Sequence, residues 1–167
     1  MKTIMIILMF VSAVFASELP EEFDREKYDL GEKVFDNKCN SCHEKSMPIP
    51  LLMKNFIEEN NKTLNLKAPT GNEISFRLKQ QIGHRDDIEF HLMQTNDFLK
   101  DYLYNPDLAK TICLEGVIRH FEVMPSMKGK VTEEEIEDVN HFLYFLEGFN
   151  GINEFYHDET KFYKTKQ

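Results

Sequence analysis

Residues 39–43 read Cys39-Asn40-Ser41-Cys42-His43, the pattern C-x-x-C-H. This pattern marks covalent attachment of a c-type haem. Each thiol adds across a haem vinyl group as a thioether, and the histidine takes one axial position on the iron. The spacing has a geometric reason. Two cysteines three apart lie on one side of a single helical turn, so both can reach one edge of the porphyrin. A redox Cys-x-x-Cys or half of a zinc site would use similar residues. The first belongs in a βαβ context, and the chain has no strand alternation of useful length. The second needs another closely spaced Cys or His pair, and none is present.

The chain opens with Met1-Lys2, followed by an uncharged apolar run from Ile4 to Phe15 that closes on Val14-Phe15-Ala16. This reads as a secretory signal peptide, residues 1–16, cleaved after Ala16. The run is too short for a relaxed transmembrane span, so the mature chain is expected to have none; an uncleaved anchor is the other reading. Cleavage leaves about 150 residues, the size of one domain. The expected division is a domain over 17–147 and a C-terminal tail over 148–167. Export fits the motif, because c-type haem is attached outside the cytoplasm in bacteria, and the expected location is the periplasm.

The formal charge is −9, and losing residues 1–16 removes one lysine and no acid, making the mature chain more negative still. Such a surface argues against nucleic acid and anionic membrane. It suits redox protein partners that carry basic docking patches, and it equally serves solubility. With Cys39 and Cys42 spent on haem, the third cysteine, Cys113, has no partner in the chain. It sits in an apolar, helical-looking stretch and reads as a small buried hydrophobe.

Helical spacing runs through most of the chain. A first helix should reach Lys38, with Tyr28, Gly31, Val34 and Phe35 near one face and Asp24 and Glu26 at its positive end. Met47-Pro48-Ile49-Pro50 should break any helix, with a short one over 51–61 and a turn at Asn60-Asn61. Thr70 with Glu73 forms a capping box for a helix carrying Ile74, Leu78 and Ile82 and ending at Gly83. A further helix is expected from Asp87 to Tyr104. In it His91 lies one position off the apolar stripe, partly exposed or a rival iron ligand. The spacing predicts another helix over 107–121. Thr132 with Glu135 opens the last, with Ile136, Val139, Leu143 and Leu146 as its stripe and Gly148 as its stop.

Gly31-x-x-x-Phe35-x-x-x-Cys39-x-x-Cys42-His43 resembles the N-terminal helix and haem site of class I cytochromes c. Leu99-Lys100-Asp101-Tyr102-Leu103-Tyr104-Asn105-Pro106 resembles that family's haem-facing helix, and Val123-Met124-Pro125 its ligand loop. The resemblance implies an all-α, class I cytochrome c-like fold around one covalent haem c. Inserted helices would lie between the haem motif and the loop. It implies that Gly31 crosses an aromatic of the last helix, assigned to Phe145. It implies that a proline carbonyl accepts the Nδ1 proton of His43; Pro69 is the first candidate and Pro50 the second. Met124 would be the sixth iron ligand, with Met127 and His120 as rivals, and Tyr102 would bring its hydroxyl near the methionine sulfur. Met47, Met53 and Met93 are better explained as gap-fillers.

Iron held by His43 and Met124 would have no open site. The expectation is therefore a non-enzymatic one-electron carrier between exported respiratory proteins, with Glu44 and Lys45 at the docking rim. The alternatives are a haem-based ligand sensor and a fixed haem subunit of a larger oxidoreductase.

Overall fold

A computed structural model describes residues 20–146. The expected leader with its cleavage after Ala16, the stop at Gly148 and the 148–167 tail lie outside the described residues. Within them the protein is all-α, and its nearest approach to a sheet is one isolated bridge between Lys128 and Val131. No helix among the described residues is long and apolar enough to cross a membrane.

Helix α1 (Arg25–Val34) starts where the Asp24 carboxylate accepts the Glu26 and Lys27 N–H groups. Those donors have no partner inside the helix, which is why Asp is favoured there. The helix runs on as a wider π-turn, Phe35–Cys39, closed by Asn40 N–H on the Phe35 carbonyl at 2.9 Å. Single π-turns of this kind often sit at functional sites.

Helix α2 (Ile49–Met53) corrects one expectation. Pro48 and Pro50 do not break this stretch; they begin it, with Pro50 in the first turn. A proline there forfeits no intrahelical hydrogen bond. A second π-turn, Lys54–Glu58, follows, and Asn60 and Asn61 make the turn with φ of +53° and +59°. Helix α3 (Gly71–Gln81) opens on the Thr70–Glu73 capping box, and Gly83 follows its end at φ +58°. Helix α4 spans Ile88–Tyr104, capped by Asp87.

The single helix expected over 107–121 does not form. Leu108–Lys110 is one 3-10 turn, and α5 is only Glu115–Ile118. Between them the Ile112 carbonyl accepts from Arg77 Nε at 2.6 Å. Cys113, half-buried, therefore lies in irregular chain and not on a helix. The α5 region packs against the Lys54–Glu58 turn, where the Phe56 ring stands 5.6 Å from His120 and 5.8 Å from Phe121. The stretch after the motif and the stretch before the loop thus cover each other.

Helix α6 (Glu133–Phe145) is the hub, and α1, α3 and α4 all pack on it. Its Ile136, Val139, Phe142 and Leu143 meet Phe35, Leu78, Leu99, Val131 and Leu146 in one buried cluster. Each such side chain contributes about 1.5–3 kcal/mol by leaving water. Gly31 does face an aromatic of this helix, but that aromatic is Phe142 and not Phe145. A Cβ at Gly31 would overlap the Asp138 carbonyl oxygen and stand 2.7 Å from Phe142 Cβ. His91 is fully buried, not partly exposed. Its ring nitrogens lie 2.9 Å from the Tyr144 hydroxyl and 2.7 Å from the Ile82 carbonyl, so neither is free for iron.

Candidate functional site

The motif closes its own turn. Cys42 and His43 N–H groups both donate to the Cys39 carbonyl at 3.0 Å. Cys39 is half-buried against the core, whereas Cys42 is exposed, and neither is in a disulfide. Burial pushes the Cys39 thiol up to about 11, against a smaller opposing pull from Lys38. Cys39 also ends a helical segment, where the dipole is negative and disfavours thiolate. Redox Cys-x-x-Cys motifs need the opposite, a lowered thiol pKa.

His43 Nδ1 lies 2.7 Å from the Pro69 carbonyl oxygen. A carbonyl can only accept, so Nδ1 carries the proton and Nε2 presents its lone pair. Nε2 makes no hydrogen bond among the described residues. Burial lowers the His43 pKa, partly offset by the Pro69 bond, so the neutral imidazole is favoured.

This contact spans 26 residues, and the start of α3 makes it possible. The first N–H groups of a helix need partners outside it. Here Gly71 N–H donates to the Glu44 carbonyl at 2.8 Å and Asn72 N–H to the Lys45 carbonyl at 3.1 Å. Gly71 permits that seat, because a Cβ there would come 2.6 Å from the Lys45 oxygen. Asn72, fully buried, adds its side chain: Nδ2 donates to the Met47 carbonyl at 2.8 Å, and Oδ1 accepts from the Thr70 hydroxyl at 2.6 Å. The sequence reading missed Asn72; its one signal was a polar side chain inside a capping box. Pro50, the second candidate proline, instead starts α2.

The Met-Pro loop is held by the opposite kind of helix end. The last carbonyls of α4 need donors. Met127 N–H donates to the Leu103 carbonyl at 2.8 Å and the Ser126 hydroxyl to the Tyr104 carbonyl at 2.7 Å. Met127 packs against the core cluster, while Met124 is half-buried in irregular chain. His120 stacks on Phe56, and its Nε2 lies 3.3 Å from Arg119 Nε. Tyr102 stacks on Phe98, ring centroids 5.8 Å apart, and burial raises its pKa. The Lys45 ammonium, expected at a docking rim, is committed to Glu32 and Asp36 at 2.9 Å each.

This donor set fits a covalent haem. It offers two thiols on one turn, an imidazole oriented through its far nitrogen, and a thioether on a loop pinned to a second helix. No protein-family model and no solved structure matches the chain. An uncharacterized protein of Aquifex aeolicus (strain VF5) is 30% identical over 145 residues, covering 86% of this chain and 87% of that one. With that identity running through nearly the whole of both proteins, the chain belongs to the same family as the Aquifex protein.

Proposed function

We propose that the protein is an exported one-electron carrier with a single haem c, joined through Cys39 and Cys42 and held axially by His43 and Met124. Bound there, the haem supplies a reversible ferric–ferrous couple. The chain's own part is to hold His43 in one tautomer, keep the thioether loop in place and exclude water from both. The observation that carries this reading is the 2.7 Å contact between His43 Nδ1 and the Pro69 carbonyl. It does what a metal-bound histidine needs, fixing ring orientation and raising basicity at Nε2. The raised Cys39 thiol speaks against thiol–disulfide chemistry at the same motif.

His43 and Met124 together would fill both remaining positions on the iron, which would suit electron transfer more than ligand binding. The absorbance spectrum of the exported holoprotein tests this. The expected result is a low-spin ferric spectrum with the weak sulfur-to-iron charge-transfer band, no carbon monoxide binding when reduced, and loss of that band in Met124→Ala. A high-spin spectrum with ready carbon monoxide binding would instead favour a ligand sensor. A band that survives in Met124→Ala would move the ligand to Met127.

A further inference from the structure

The peptide group joining Pro69 to Thr70 is bonded at both ends. Its carbonyl oxygen lies 2.7 Å from His43 Nδ1, and its N–H donates to Glu73 Oε2 at 2.9 Å. The Thr70 hydroxyl oxygen stands 3.1 Å from Glu73 Oε2, sharing its one proton with the closer Asn72 Oδ1 at 2.6 Å, and Thr70 itself is fully buried. Glu73 has no ion pair among the described residues. The equivalent carboxylate of the other capping box, Glu135, is paired with Lys38 at 2.6 Å. A half-buried carboxylate with no ion pair among the described residues therefore sits directly behind the peptide that holds the candidate axial histidine.

Hydrogen bonds in a chain polarise one another, and a charged acceptor strengthens the effect. We propose that Glu73 is a positioning residue for His43, acting through the Pro69–Thr70 peptide to set how strongly the Pro69 carbonyl holds the Nδ1 proton. The inference rests on the haem-carrier reading above. A stronger hold gives the imidazole more anionic character and makes Nε2 a better donor, which stabilises ferric iron. Glu73 thus lowers the reduction potential without touching the ligand. Burial raises the Glu73 pKa, while the Thr70 bonds work to keep the carboxylate charged.

The test is Glu73→Gln in the holoprotein. Glutamine also serves at this position of a capping box, so the helix start is retained. Two quantities are read: the His43 Nδ1–H proton resonance in the reduced, diamagnetic protein, and the potential. Glu73→Gln is expected to move the resonance upfield and the potential upward. Glu73→Asp, which keeps the charge on a shorter arm, is expected to fall between wild type and Glu73→Gln. Asp36→Asn removes a carboxylate outside this chain of bonds and should leave the resonance in place. A resonance unmoved in Glu73→Gln overturns the proposal even if the potential changes, because the charge would then act through space alone. Should Glu73→Gln fail to accumulate, an unmoved resonance in Glu73→Asp is the overturning result. A colourless wild-type protein would be a different failure, that of the haem reading itself.

Discussion

Gly31 and Phe142 meet with no room between them. A Cβ on Gly31 would stand 2.7 Å from Phe142 Cβ and would overlap the Asp138 carbonyl. Backbone cannot yield as a side-chain tip can. Gly31→Ala is therefore expected to lose about 3 kcal/mol, the upper end for overpacking, despite alanine's better helix propensity. Phe142→Ala should cost about 3–5 kcal/mol as a fully buried aromatic. Phe145→Ala, which removes ring contacts with Phe23 and Tyr144 from a half-buried position, should cost less than either. Urea midpoints at constant slope measure all three.

Asn72→Ala removes a buried side chain that serves both the Met47 backbone and the Thr70 hydroxyl. Buried groups left without partners cost about 1–3 kcal/mol each, so the expected loss is about 3 kcal/mol. Hydrogen exchange at the 44–47 backbone should accelerate along with it. An unchanged urea midpoint would show that water replaces the amide.

The stability of the protein should fall on mild acidification, in part through His141. Its Nε2 accepts the Asp24 N–H at 3.0 Å, which requires the neutral ring, and burial lowers its pKa from 6.5 against a smaller pull from Asp24. The unfolded chain then binds the proton first. The stabilisation is complete above 6.5 and is lost as the pH falls from there through the folded value. Burial lowers the pKa of His120 too, so His141→Gln is expected to flatten the slope of stability against pH without abolishing it. Denaturation midpoints between pH 5 and 8 give the comparison.

Thiol counting separates covalent haem from its rivals without a spectrum. On the haem-carrier reading, the purified protein in denaturant should show one titratable thiol per chain, Cys113, because cysteines joined to haem as thioethers do not react. Three reactive thiols would remove the attachment at its first step. In the native state Cys113 should alkylate slowly, since burial, with a smaller contribution from Glu73, pushes its thiol up to about 11.

The sequence alone determined the features whose partners lie within a few residues. Thr70 with Glu73, Thr132 with Glu135, and Asp24 with Lys27 are cap bonds three residues long, and each starts a helix where it was expected. The C-x-x-C-H turn is equally local. Only the tertiary structure chose Phe142 over Phe145, since the two sit about 60° apart on one helix and the packing of α1 decides which faces Gly31. It buried His91 by supplying Tyr144 from another helix, and in place of the helix expected over 107–121 it left two short turns with the Ile112 carbonyl bonded to Arg77. The contact between His43 and Pro69 belongs to both levels. A family resemblance suggested the pairing, but the donors at the start of α3, seated on Glu44 and Lys45, bring the two together. Bonds inside one helical turn form wherever the chain has the right residues, whereas contacts across the chain depend on how the helices rotate against a shared core.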